Sequence, residues 1–172
     1  MNEPARKQRN QERLKECFPA FARRVEAVIN DLEAQGFRPR IQDAHRSIAD
    51  QLKAFNGGFS KVRFGFHNVT GANGNAESLA VDLLDDDKPL NPSRRYIILL
   101  AAAAQAHGLH PGSFFGLPQS LRKGLSQAIE DRNFDANIKI GFDPTHIEVS
   151  NISIADARAG QRPASRNGGS DV

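Results

Sequence analysis

His67, Asp82, Asp143 and His146 are residue types that metal-assisted hydrolysis could use, and that chemistry needs few parts. A catalytic zinc ion takes three protein ligands and keeps one position open for water. The ion lowers the pKa of that water and polarises the carbonyl to be attacked. A carboxylate nearby must take the water's proton and pass it to the leaving amine, and a fixed cation near the developing oxyanion lowers the barrier further. His67 stands after Phe64-Gly65-Phe66, at the start of a stretch rich in Gly and Asn. Asp82 lies inside Leu79-Ala80-Val81-Asp82-Leu83-Leu84, an otherwise apolar run. A carboxylate in a buried strand is costly unless it is paired or bound to metal. His146 closes Asp143-Pro144-Thr145-His146. That spacing sets Asp143 close to any ion bound by His146, and the proline restricts the turn between them.

Each residue also has a plainer reading. His67 taken alone is a solvated loop histidine, Asp82 the start of the acidic run continued by Asp85, Asp86 and Asp87, and His146 a residue that packs locally in a turn. Arg46 is a surface ion-pair partner on the same footing. What favours the functional reading is that all the parts occur in one chain.

The segments that carry them resemble a known family. His67 with the following interval to Asp82, the later Asp143-Pro144-Thr145-His146-Ile147-Glu148, and the upstream Ala44-His45-Arg46-Ser47 are similar to the LAS and D-Ala-D-Ala carboxypeptidase group of zinc peptidases. That group includes VanX- and VanY-type enzymes and phage endolysins that cut the peptidoglycan stem peptide, and it shares a fold with the hedgehog signalling domain. The resemblance covers about residues 37–149. It implies Zn2+ on His67, Asp82 and His146, Asp143 as the general base, and Arg46 on the substrate carbonyl or carboxylate. Two departures stand out. Fifteen positions separate His67 from Asp82, longer than the family's spacing, so residues 68–77 read as an insertion, with Ser78 where the family has Gly. Gly65 also replaces a Ser often found two residues before the first His.

Of the neighbouring groups, Glu148 is a candidate to hold a ligand histidine by its other ring nitrogen. His45 points away from Arg46 if their segment is extended, and reads as structural. His107 and His110 flank Gly108, where a helix ends and a histidine is stabilising anyway. Both stay outside the predicted zinc shell, although His110 is placed to line a cleft.

The elements that must position these groups follow from the hydrophobic pattern. Residues 1–18 predict a polar helix. Phe21, Val25, Val28, Ile29 and Leu32 recur at helical spacing and stop at Gly36. Phe37 to Ala44 reads as extended, and Ser47 with Asp50 opens a helix that ends at Asn56-Gly57-Gly58. Residues 59–77 predict a long loop, of a kind that often carries function. Ser78 to Leu84 predicts a buried strand, residues 91–107 an apolar helix, and 118–131 an amphipathic one. Leu109 to Gly116 is a loop or short strand, and Phe134 to Val149 gives two extended pieces split at Asp143-Pro144. Helices first, then strands mixed with helices, indicate an α+β fold: a small antiparallel sheet with flanking helices, hedgehog/DD-peptidase-like. The predicted organisation is an N-terminal helical segment over 1–36, a core over 37–150 and a disordered tail over 151–172.

Composition narrows the classes. The lone Cys17 rules out an intrachain disulfide and a zinc site built on several thiolates. The longest apolar run, Tyr96 to Ala104, is too short to cross a bilayer. The first residues are charged where a secretory signal needs an apolar run, so the expectation is synthesis in the cytoplasm and action in the periplasm or wall. The net charge of +3 favours anionic partners, but much of it lies near the ends, in Arg6, Arg9 and Arg13 and in Arg158 and Arg162, and reads as solvated arms. No basic stripe interleaved with aromatics supports nucleic-acid binding. The expected partners are therefore peptidoglycan stem peptides, cut by an endopeptidase of the endolysin or delivered-toxin type. A D,D- or L,D-carboxypeptidase and a non-catalytic zinc-binding module are the alternatives.

Overall fold

The computed structural model describes residues 1–164. Its elements run α1 (Glu3–Leu14), α2 (Pro19–Ala34), β1 (Pro39–Asp43), α3 (Ile48–Asn56), β2 (Ala80–Asp85), α4 (Arg94–Ala106), β3 (Leu109–Pro111), α5 (Gln119–Glu130), β4 (His146–Val149) and α6 (Ile154–Arg158). Short 3-10 turns lie at Phe66–Asn68 and Gly112–Phe114. The strands form one antiparallel sheet in the order β1-β2-β4-β3. The fold is thus the α+β architecture that the pattern predicts.

Local chemistry sets the helix ends. Pro19 opens α2, where its missing N–H costs nothing, and Gly36 leaves it at φ +84°, a conformation that suits glycine. Ser47 caps α3 by accepting from the Asp50 amide at 3.1 Å, and Ser93 caps α4 by accepting from Tyr96 N at 3.2 Å.

The apolar face of α2, with Phe21, Val25, Val28 and Leu32, packs in one core with Ile41, Val81, Leu83, Leu100, Ala104 and Ile147. Each of these side chains larger than alanine contributes on the order of 1.5–3 kcal/mol when fully buried. The N-terminal helices therefore share the core of the sheet. Tyr96 fixes α4 to the sheet, its hydroxyl donating to the Leu83 carbonyl at 2.9 Å.

Four segments differ from the sequence reading. Only His146–Val149 of the stretch 134–149 is a strand. Ahead of it the chain lies along the Gly112–Phe115 turn, with Gly141 N donating to Ser113 O at 2.7 Å, while Phe134, Ile138 and Ile140 pack under α4 and α5. Nor is the N-terminal basic segment a solvated arm: Arg6 is 1% exposed, bonded to Glu3, to Glu33 at 2.7 Å and to the Pro39 carbonyl at 2.6 Å. In the acidic turn Asp85 is buried, and Asp86 pairs with Arg40 at 2.7 Å and the N-terminal amine at 3.1 Å. In the segment whose composition predicts disorder, Ser153 caps α6, and Arg162 binds Glu77 at 2.6 Å and the Thr70 carbonyl at 2.8 Å. Two specific anchors outweigh a polar composition there; residues 165–172 lie outside the described part. Among the described residues no helix is long and apolar enough to cross a membrane.

Candidate metal centre and cleft

Sheet register brings two of the candidate ligands together. Asp82 on β2 faces His146 on β4 as a direct cross-strand pair, the closest side-chain relation a sheet offers. His67 arrives from outside the sheet. Its 3-10 turn is stapled to the strand-following segment by Arg46 N donating to His67 O at 2.9 Å and by the Asn68 side-chain amide donating to Arg46 O at 2.8 Å. Asn68 also accepts from Gly65 N at 2.8 Å, which tightens the turn.

The ligand atoms converge. His67 Nε2, His146 Nδ1 and Asp82 Oδ1 lie 3.3 Å, 3.1 Å and 3.6 Å apart pairwise. Both histidines are buried, at 8% and 7% exposure. Each ring is oriented by its far nitrogen. His67 Nδ1 donates to the Ala44 carbonyl at 2.6 Å, which turns the Nε2 lone pair toward the centre. His146 Nε2 donates to Glu148 at 3.0 Å, which does the same for Nδ1. Partners of this kind fix tautomer and ring angle at metal sites. The Ala44 carbonyl is held in turn by Ser78 Oγ at 3.0 Å, on a side chain with no exposed surface.

Electrostatics fit the same picture. Burial works against a charged His146, but the Asp82 and Glu148 carboxylates outweigh it and hold the ring up to about 10. Burial also works against an ionised Asp82, but hydrogen bonds from His146 and His67 hold its carboxyl well below the usual range. Without metal, His146 keeps its extra proton, and its Nδ1 faces Asp82 Oδ1 and His67 Nε2. A divalent cation with nitrogen and oxygen preferences suits the same three atoms, so the donor set could hold a metal ion.

Asp143 and Arg46 both line the cleft of about 540 Å³ in front of the triad, together with Gln51, Phe115, Phe142 and Glu148. Burial pushes the Asp143 carboxyl above its ordinary value. Gly112 lets its turn pack closely, since a Cβ there would meet Asp143 O at 2.2 Å and His146 Cβ at 3.0 Å. Arg46 donates to Asp43 at 2.7 Å and to Gln51 at 3.1 Å. The residues singled out in the sequence thus surround one cleft.

The other histidines stand apart from the three ligand atoms. His107 pairs with Asp31 at 2.8 Å, and His110 stacks on Phe115 at 5.4 Å, behind the cleft wall. His45 Nε2 is buried without a hydrogen-bond partner among the described residues. Cys17 is buried, and its thiol is pushed up to about 12 by burial, an inert state. Sequence reasoning missed Ser78 and Gln51. Ser78 registered only as a departure from the family pattern. Gln51 gave no signal, yet it is 3% exposed and its amide donates to Ser60 Oγ and Val62 O, both at 2.7 Å.

No protein family and no curated protein matches the chain by sequence. Among solved structures it is similar to the L-Ala D-Glu endopeptidase ChiX of Serratia marcescens, with a TM-score of 0.54 and 16% identity over 87% of this chain and 90% of that one. The likeness is one of fold.

Proposed function

We propose that the protein is a zinc-dependent peptidase acting on the stem peptides of peptidoglycan. The observation that carries this reading is the convergence of His67 Nε2, Asp82 Oδ1 and His146 Nδ1, each histidine turned inward by a bond at its far nitrogen, on the floor of an open cleft. His67, Asp82 and His146 would hold the ion. When bound, zinc supplies Lewis acidity for the scissile carbonyl and acidifies a water molecule.

This chain's own groups do the rest. Asp143, three residues before His146 in a tight turn, takes the proton of the attacking water and delivers it to the leaving amine. Its raised pKa suits the first task, because a more basic carboxylate accepts the water's proton more readily, while the carboxylic acid so formed is still acidic enough to protonate a leaving amine. Arg46, held by Asp43 and Gln51, keeps donors free to bind the substrate carbonyl oxygen. Glu148 holds the His146 tautomer and is not consumed. The fold shared with an L-Ala D-Glu endopeptidase favours an endopeptidase over a carboxypeptidase. Action at the cell wall, outside the cytoplasm, follows from that substrate.

The test combines metal content with cleavage. After dialysis against trace zinc, the wild-type chain should retain one equivalent and cut a synthetic stem peptide, and His67→Ala should lose both. A wild-type chain that retains no zinc, or a His67→Ala chain that cuts at the wild-type rate, would contradict the proposal.

A further inference from the structure

Outside the metal centre, two cations line the cleft among the described residues, Arg46 and Lys61. Arg46 is already neutralised by Asp43 at 2.7 Å. Lys61 is exposed and makes no ion pair among the described residues; instead its Nζ lies 3.8 Å from the centre of the Phe142 ring. An aromatic face attracts an ammonium group without neutralising it, so the charge stays available to a ligand.

The position of that charge is set from two sides. Phe142 packs on Phe115 at 5.9 Å, and Phe115 packs on the ring of His146 at 5.6 Å. Gly116, at φ +71°, makes room for this row, since a Cβ there would meet the Phe142 ring at 2.9 Å. Three rings therefore run from a ligand histidine to the lip of the cleft, and Lys61 caps them. From the other side, buried Gln51 holds both neighbours of Lys61, Ser60 and Val62, while accepting from Arg46. One amide thus ties the lysine loop to the arginine nearer the triad. Apart from the two triad histidines, the remaining titratable groups of the cleft wall, Asp82, Asp143 and Glu148, are carboxylates.

We propose that Lys61 is a specificity-determining residue that pairs with a free carboxylate on the substrate, so that the cleft selects an acidic peptide whose carboxylate flanks the bond presented to the triad. The inference rests on the peptidase reading for its substrate class. Outside the metal centre itself, a carboxylate entering the cleft meets one side-chain cation without an ion-pair partner among the described residues, and it meets it at the end of the aromatic row.

The experiment is calorimetric titration of the zinc-loaded, full-length Asp143→Ala chain with two synthetic stem peptides. They are identical except that the glutamyl carboxyl is free in one and a carboxamide in the other. The same titrations are run with Lys61→Gln and Lys61→Arg added. The free acid should bind about five- to tenfold tighter than the amide, and raised salt should narrow the gap. Lys61→Gln should erase the gap by weakening the acid alone, and Lys61→Arg should restore most of it. The proposal is overturned by equal binding of the two peptides with Lys61 present, by a gap that survives Lys61→Gln, by equal weakening of both peptides in that variant, or by binding of neither. Cleavage by the chain with Asp143 intact is scored separately. An acid preference that depends on Lys61, without any cleavage, would remove the hydrolase reading and leave the lysine's role standing.

Discussion

Glu148 touches no predicted substrate position, yet the metal should feel its loss. His146 offers Nδ1 to the ion only if its other nitrogen carries the proton, and that proton is held by Glu148 at 3.0 Å. A hydrogen bond to a charged acceptor is worth about 1.5–3 kcal/mol, and every 1.36 kcal/mol is a factor of ten. Complete loss would thus weaken metal binding by roughly ten- to 150-fold, in line with the usual effect of such partners. The Glu148 side chain is 20% exposed, so water can replace part of the bond. Glu148→Ala should therefore weaken zinc by about ten- to fiftyfold, and Glu148→Gln, which keeps an acceptor, by less. The assay is competition with a metallochromic chelator at neutral pH, with circular dichroism to confirm the fold. An affinity within twofold of wild type, in a folded Glu148→Ala chain, would refute the claim that this carboxylate orients a ligand.

Other outcomes follow from the same geometry. Asp143→Asn should keep zinc and abolish hydrolysis while raising thermal stability slightly, because it removes a carboxylate that burial disfavours; a folded variant with wild-type turnover would dismiss Asp143 as the base. The base works ionised and its pKa is raised, so the acid limb of kcat/KM should fall at a pH above the ordinary carboxylate value of about 3.9. In the metal-free chain the folded His146 pKa, about 10, exceeds its unfolded value near 6.5. Its stabilisation is therefore fully present below about pH 6.5 and lost as pH rises toward 10, which urea melts at several pH values would read. Gly112→Ala should cost at least about 1–3 kcal/mol through overpacking, and should depress zinc affinity as well, because the new methyl meets Asp143 O at 2.2 Å; unchanged melting and affinity would show that this turn yields freely.

Much of the site was legible because it depends on local chemistry. Asp82 announced itself as a carboxylate in an apolar strand, a cost that demands a partner, and the partner is the residue opposite in register. Asp143 and His146 share one turn, so sequence spacing alone placed them together. What escaped notice depends on contacts between distant segments. Ser78 matters through a carbonyl 34 residues earlier, and Gln51 through a loop that the chain reaches only after α3. The burial of Arg6 could not be foreseen from a charged N-terminus, since it requires Glu33 and the Pro39 carbonyl to meet it across α2 and β1. Likewise, the segment 134–142 has the residues of a strand but packs beside the Gly112–Phe115 turn.

The central claim is zinc-dependent cleavage of the stem peptide. It is tested most directly by digesting purified peptidoglycan with the zinc-loaded chain, with and without a chelator, and reading released fragments by mass spectrometry. New stem-peptide termini that vanish with chelator, return with zinc and are missing in Asp143→Ala are the predicted result. Intact walls of several peptidoglycan types, in the presence of a chain shown to hold zinc, would contradict the account.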